Sequence, residues 1–211
     1  MTLYPPREDR DTSPTPMKKL YITALALALI APALRASAQT GSHPYLQASA
    51  IYAIVGEDFK NGPGMALAAG VSITKHHSVE VEAISFNTET KDSYYSYYYT
   101  DKTTLKFTPL LLTYRYTFTV NEKFGAFAGF SVGAAFVKYE RGSNSLYYYY
   151  PSSTRSGTDT VIAGGPQIGC GYKFSKNSSI TATLRAVFID TTTIALGGNL
   201  LIFQLGYRYT F

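Results

Sequence analysis

Apolar residues in this chain recur at every second position rather than every third or fourth. That is the period of a strand whose two faces meet different surroundings. Between 44 and 55, Leu46, Ala48, Ala50, Tyr52 and Ile54 share one face, and Gln47, Ser49, Ile51 and Ala53 share the other. The same alternation runs through 65–74, 78–87, 104–118, 124–138, 160–174, 179–188 and 194–211. The pattern predicts eight strands of at least about 9–11 residues, the length that crosses a bilayer as a tilted strand. Short turns are expected at 74–78, 119–123 and 175–178. Longer connections are expected at 55–64, 88–103 and 139–158, with a modest one at 189–193.

The side chains on the two faces decide which of them is the inside. One face carries large apolar residues, with Tyr and Phe gathered at segment ends; the other is rich in Gly, Ala, Ser and Thr with a few isolated charges. In a soluble sandwich the apolar face would be the core. Small residues suit the crowded interior of a narrow barrel, and aromatics at strand ends suit the girdle at a membrane interface. Lipid tolerates no open strand edge, so the sheet must close. The expectation is all-β: an eight-stranded antiparallel up-and-down transmembrane β-barrel, apolar face to lipid, polar face to a polar lumen, both termini periplasmic. A soluble eight-stranded lipocalin-type barrel is the competing architecture.

Composition agrees with that reading. Of 211 residues, 16% are charged against roughly 25% in an average soluble domain, yet mean hydropathy is only −0.05. Strands that face lipid on one side and a lumen on the other average out near neutral. The 19 Tyr and 12 Phe, with no Trp, supply the aromatics. A single Cys excludes an internal disulfide framework.

The N-terminus reads as a targeting segment. Met17-Lys18-Lys19 is a charged start, Leu20–Leu34 an apolar core broken by Pro32, and Ala36-Ser37-Ala38 a small-x-small cleavage site, together a secretory signal peptide. Residues 1–38 are expected to be an N-terminal extension and cleaved leader, with translation starting at Met17, and 39–211 the mature barrel. The formal charge of +5 divides into +2 for residues 1–38 and +3 for 39–211. The charges are scattered, without the basic stripe that nucleic-acid binding requires.

The last strand ends Phe203-Gln204-Leu205-Gly206-Tyr207-Arg208-Tyr209-Thr210-Phe211. Phe203, Leu205, Tyr207, Tyr209 and Phe211 resemble the C-terminal insertion signal of bacterial outer-membrane barrels, read by the outer-membrane assembly machinery. The stretches TLKFTPLLLTYRYTF (104–118) and KFGAFAGFSVGAAFVKYE (123–140) look like the fourth and fifth strands of the outer membrane protein β-barrel domain family. That family is similar to the eight-stranded barrels of the outer-membrane protein A and X type and to opacity-type adhesins. The resemblance covers 43–211 and implies a Gram-negative outer-membrane location, lipid and lipopolysaccharide as surroundings, and a monomer. It implies a structural, adhesive or stress-related surface role, in some members a small pore, and no shared catalytic motif.

Six charges are expected to point inward: Glu80, Glu82, Arg115, Lys173, Arg185 and Arg208. An unpaired charge in a narrow lumen is very costly, so Glu80 and Glu82 should pair with Arg115, Arg185 or both, across neighbouring or facing strands. Such an ionic network either plugs the lumen or lines a path for small solutes. Two tyrosine tracts, Tyr94, Tyr95, Tyr97, Tyr98, Tyr99 and Tyr147, Tyr148, Tyr149, Tyr150, fall in the second and third long connections. Tyr gives rigid, amphipathic contact area at low entropic cost. The tracts therefore read either as a surface for an extracellular protein or glycan ligand, or as loops packed on each other.

No catalytic, cofactor or metal site is expected. His76 and His77, adjacent in a turn, should splay apart and chelate poorly, and a barrel hydrolase would need a His near the outer rim. Cys170 is expected on the lipid face. Three functions result, in order: a non-enzymatic surface barrel, adhesive through its tyrosine loops; a narrow pore or conduit; and, last, a membrane-bound hydrolase. Pro109 leaves the register of 104–118 the least determined.

Overall fold

The computed structural model describes residues 43–56, 59–90, 94–96, 99–145, 153–189 and 199–211, and for 94–96, 99–102, 141–145 and 153–155 the backbone alone. The leader and its cleavage site lie outside the described residues.

Among the described residues nine strands form one antiparallel sheet: β1 (His43–Ile54), β2 (Gly62–Ser72), β3 (His77–Glu89), β4 (Tyr94–Ser96), β5 (Tyr99–Thr119), β6 (Phe124–Ser145), β7 (Ser153–Lys173), β8 (Ser178–Ile189) and β9 (Asn199–Thr210). Each long strand pairs with its sequence neighbours, β3 pairs with β5, and β9 closes on β1, so eight strands make a closed up-and-down barrel. The three-residue β4 pairs only with the upper part of β5. No helix among the described residues is long and apolar enough to cross a membrane; strands make the crossing.

Barrel stagger can be followed partner by partner. From His43 the path runs through Ser72, Ser78, Arg115, Gly129, Gln167, Arg185 and Ile202 and returns to β1 at Ala53. The offset is ten residues for eight strands, a stagger that goes with strands tilted by roughly 35–45°.

The alternation read from the sequence sets the facing of every barrel strand. Leu46, Met65, Leu67, Leu112, Phe130, Ile162, Ile168 and Leu205 are each about half or more exposed on the outer surface, an apolar area that no soluble monomer presents. Nine aromatics crowd the outer surface at the end bearing the short turns: Tyr114, Tyr116, Phe118, Phe124, Tyr172, Phe174, Tyr207, Tyr209 and Phe211. The alternation passes Pro109 without a slip. Leu105, Phe107, Pro109, Leu111 and Thr113 are all buried, and the β3–β5 register is the same on both sides, Ala83 opposite Leu110 and Phe86 opposite Phe107.

Two expectations need correction. The connections expected at 88–103 and 139–158 are largely strand: β5, β6 and β7 run 21 or 22 residues, against 11 to 13 for the other barrel strands. They rise past the barrel rim as a narrow sheet. Its Ser, Thr and Gly content carries no hydrophobic period. The lumen is also not polar throughout. Its loop-end half is filled by Ile51, Val55, Ile84, Phe86, Leu105, Phe107, Leu111, Val137, Val161, Val187, Leu200 and Ile202, with the Phe86 and Phe107 rings stacked at 5.2 Å.

Candidate functional site: the lumen and its rims

Polar residues collect in the turn-end half of the lumen, where inward positions of the strands converge. Glu80 and Glu82 lie two residues apart on β3, so both point inward. Arg115 comes from the neighbouring strand β5, and its Nη2 is 2.5 Å from Glu80 Oε1. Arg185 comes from β8, four strands from β3 in either direction round the barrel. Its Nη1 is 2.5 Å from Glu82 Oε2, so this ion pair spans the diameter. All four side chains are at most 1% exposed.

Neutral side chains join the two pairs. Arg185 Nε and Nη2 donate to Gln167 Oε1 at 3.0 and 2.6 Å. Gln204 Nε2 donates to Glu82 Oε1 at 2.6 Å and to Ser49 Oγ at 3.0 Å. Ser49 Oγ also accepts from Gln47 Nε2 at 3.1 Å. Gln47 Oε1 in turn accepts from Arg208 Nε and Nη2 at 3.1 and 2.9 Å. Arg208 Nη2 stands 3.7 Å from Glu80 Oε2, which accepts from the Tyr45 hydroxyl at 2.9 Å. A continuous polar chain thus runs from Arg115 to Gln167 through six of the eight barrel strands. Two aromatic rings support its cations: Arg115 Cζ lies 4.7 Å above Phe127, and Arg208 Cζ 4.0 Å above Tyr45.

Of the six expected inward charges the structure brings five together: Glu80, Glu82, Arg115, Arg185 and Arg208. Lys173 is the exception. It has the inward parity but sits at the last residue of β7, where its exposed side chain reaches water at the turn-end mouth. Tyr45, Gln47, Ser49, Gln167 and Gln204 were missed; their signal was an inward position holding a side chain able to donate and accept.

Glycines make room for the rings. Tyr45 is directly opposite Gly70, and Phe127 directly opposite Gly169. A Cβ at Gly70 would fall 2.5 Å from the Tyr45 ring, and one at Gly169 would collide with Phe127. The aromatic covers the glycine backbone within the lumen.

At the turn end, His76 and His77 do not simply splay. His76 stacks on Tyr116 at 5.9 Å and His77 meets the same ring edge-on at 5.1 Å. Their Nδ1 atoms hydrogen-bond to Thr117 O at 2.9 Å and Tyr114 Oη at 2.6 Å. His43 begins β1 at this same end. No group of three metal-ligating side chains occurs among the described residues. Cys170 is a free thiol at an outward position of β7, between Ile168 and Tyr172.

Of the tyrosine tracts, Tyr94 and Tyr95 belong to β4 and Tyr99 begins β5, with Tyr95 opposite Thr100 and Tyr99 opposite Ser145. Tyr97, Tyr98 and Tyr147, Tyr148, Tyr149, Tyr150 lie outside the described residues. Phe203, Leu205, Tyr207 and Tyr209 of β9, and Phe211 just after it, all face outward, 41–62% exposed.

Solved structures with this fold include Neisserial surface protein A, at TM-score 0.51 and 16% identity over 81% of this chain and 97% of that one. A major outer membrane protein from Thermus thermophilus matches at TM-score 0.55 and 12% identity, over 80% and 99%. Ail, the attachment invasion locus protein of Yersinia pestis, solved with the heparin analogue sucrose octasulfate, matches at TM-score 0.47 and 16% identity, over 81% and 97%. No curated protein matches the sequence. The outer membrane protein beta-barrel domain model matches residues 22–211, and with a closed eight-stranded barrel, a lipid-facing apolar belt and a turn-end aromatic girdle in place, the chain belongs to that family of the bacterial outer membrane.

Proposed function

We propose that this protein is a non-conducting, non-enzymatic surface barrel that presents its projecting sheet to the outside of the cell. The observation that carries this reading is the double closure of the lumen. The Glu82–Arg185 pair bridges the full diameter, and beyond it the loop-end half is packed with apolar side chains. Water and ions would have to cross both layers. Two carboxylates each held by a guanidinium at 2.5 Å are also poor general bases, since a base must be free to take a proton. The three histidines lie at the turn end, away from the outer rim where a barrel hydrolase would meet its substrate.

Short turns face the periplasm and long connections the exterior in outer-membrane barrels, which sets the extended β5–β6–β7 sheet outside the cell. The tyrosine tracts, which border these strands in the sequence, are the proposed contact surface for a protein or glycan. Purified barrel in planar bilayers should show no stable ion-conducting openings, and steady single-channel steps would overturn the closed-lumen reading. Replacing the nine tract tyrosines with Ser should leave folding intact and reduce binding of the host bacterium to cells or matrix. Unchanged binding would remove the contact role.

A further inference from the structure

We propose that the turn-end mouth of the barrel is a binding site for a compact oxyanion of the phosphate class. A cavity of about 120 Å³ opens there. Lys75 from the β2–β3 turn, Lys123 from the β5–β6 turn and Lys173 at the foot of β7 line it, with Arg208 deeper. Glu122 is the one acid in the lining. Four cations therefore meet one carboxylate, and the cations come from separate parts of the chain that only barrel closure brings together.

The floor supplies the second reason. Arg208 is held rigidly: Gln47 Oε1 accepts from its Nε and Nη2, and the Tyr45 ring lies under its Cζ at 4.0 Å. Its nearest carboxylate, Glu80, is not its own. Arg115 holds Glu80 at 2.5 Å, while Arg208 stands at 3.7 Å. One negative charge is thus divided between two guanidinium groups, and the cluster of three keeps a net positive charge at the base of the mouth. Arg208 is 17% exposed at the mouth, so an anion arriving there can meet its surplus charge.

The ligand class follows from the donors. A planar guanidinium matches an oxyanion with two parallel hydrogen bonds, and lysines add point charges from several directions. Three lysines around one arginine suit a tetrahedral phosphate group, whose acceptor oxygens point in several directions, better than a planar carboxylate. Such a group can arrive as free phosphate or a phosphate monoester in the periplasm. It can also be the headgroup of an anionic phospholipid of the inner leaflet folded over the rim.

The full barrel in phosphatidylcholine nanodiscs would be titrated with inorganic phosphate, following backbone amide shifts at Lys123 and Lys173 by NMR. A parallel sample would hold the barrel in phosphatidylglycerol nanodiscs without phosphate. Saturable shifts with phosphate support the site with a soluble ligand; shifts in phosphatidylglycerol alone support it with a headgroup. In K123Q/K173Q the affinity for whichever probe binds should fall at least tenfold, while Lys106→Gln, at the opposite rim, should leave it unchanged. Heat-modifiable gel migration checks that both variants fold. Absence of shifts in both samples, or equal binding by wild type and K123Q/K173Q, overturns the proposal.

Discussion

Replacing Arg185 with Met tests whether the cross-lumen ion pair is an energetic unit. Methionine fills similar volume without charge, so Glu82 is left with Gln204, at 2.6 Å, as its remaining partner. Gln167 also loses both bonds from the guanidinium. Removing one partner of a buried pair costs about 3–5 kcal/mol, a large share of the roughly 5–15 kcal/mol that holds a domain folded. Removing both charges in E82Q/R185M is a different perturbation. Buried ion pairs replaced by uncharged side chains are commonly neutral or better, and the new amide can still accept from Gln204. The residual penalty is the unpaired Gln167 carbonyl, about 1–3 kcal/mol. The double variant should therefore lie about 2 kcal/mol above the single one in stability. With a urea dependence of about 1–3 kcal/mol per molar, R185M should lower the unfolding midpoint by about 2 M, and the double variant should regain about half of that. The chain has no Trp, so the folded fraction in lipid vesicles is best read from heat-modifiable gel migration. A single variant within about 0.5 M of wild type, or a double variant as unstable as the single, would refute the coupling.

Gly169→Val should displace the Phe127 ring that supports Arg115 and cost about 1–3 kcal/mol by overpacking, measured by the same urea titration. Deleting Phe211 should slow or abolish assembly into the outer membrane, measured by protease resistance of membrane fractions; normal insertion would count against the C-terminal signal. Glu140, exposed above the apolar belt, is held below the ordinary carboxylate range by its hydrogen bond and charge contact with Lys138 at 2.7 Å. A depressed carboxylate stabilises above its unfolded pKa, and that contribution fades as pH falls through the folded value. The Glu140 carboxyl should titrate below an ordinary glutamate by NMR and move upward in Lys138→Gln.

The facing of each barrel strand was legible because a two-residue period has only two phases, and lipid penalises the wrong one. Pro109 did not disturb it, because an inward proline gives up a ladder bond without shifting parity. The pairing of Glu80 and Glu82 with arginines followed from the cost of a lone buried charge. Alternation, however, tells which face a residue occupies and says nothing about its height in the barrel. That is why Lys173 was grouped with the other inward charges, although its strand ends at the mouth. It is also why the apolar packing around Phe86 and Phe107 was not anticipated. Gln47, Gln167 and Gln204 carry no charge to mark them in the sequence, whereas joining two ion pairs requires groups that both donate and accept. The height of the β5–β6–β7 extension was invisible for another reason, since its Ser-, Thr- and Gly-rich sequence carries no hydrophobic period.

That extension gives the molecule a front and a back. β6 has 22 residues and β9 has 12. At about 3.4 Å per residue and a tilt of roughly 35–45°, the difference carries β6 some 25 Å beyond the loop end of β9. A barrel anchored by its girdles can spin about the membrane normal but cannot tip over. The extended strands therefore stand on one side of the barrel axis, and rotation in the plane of the membrane decides whether a neighbouring protein meets them.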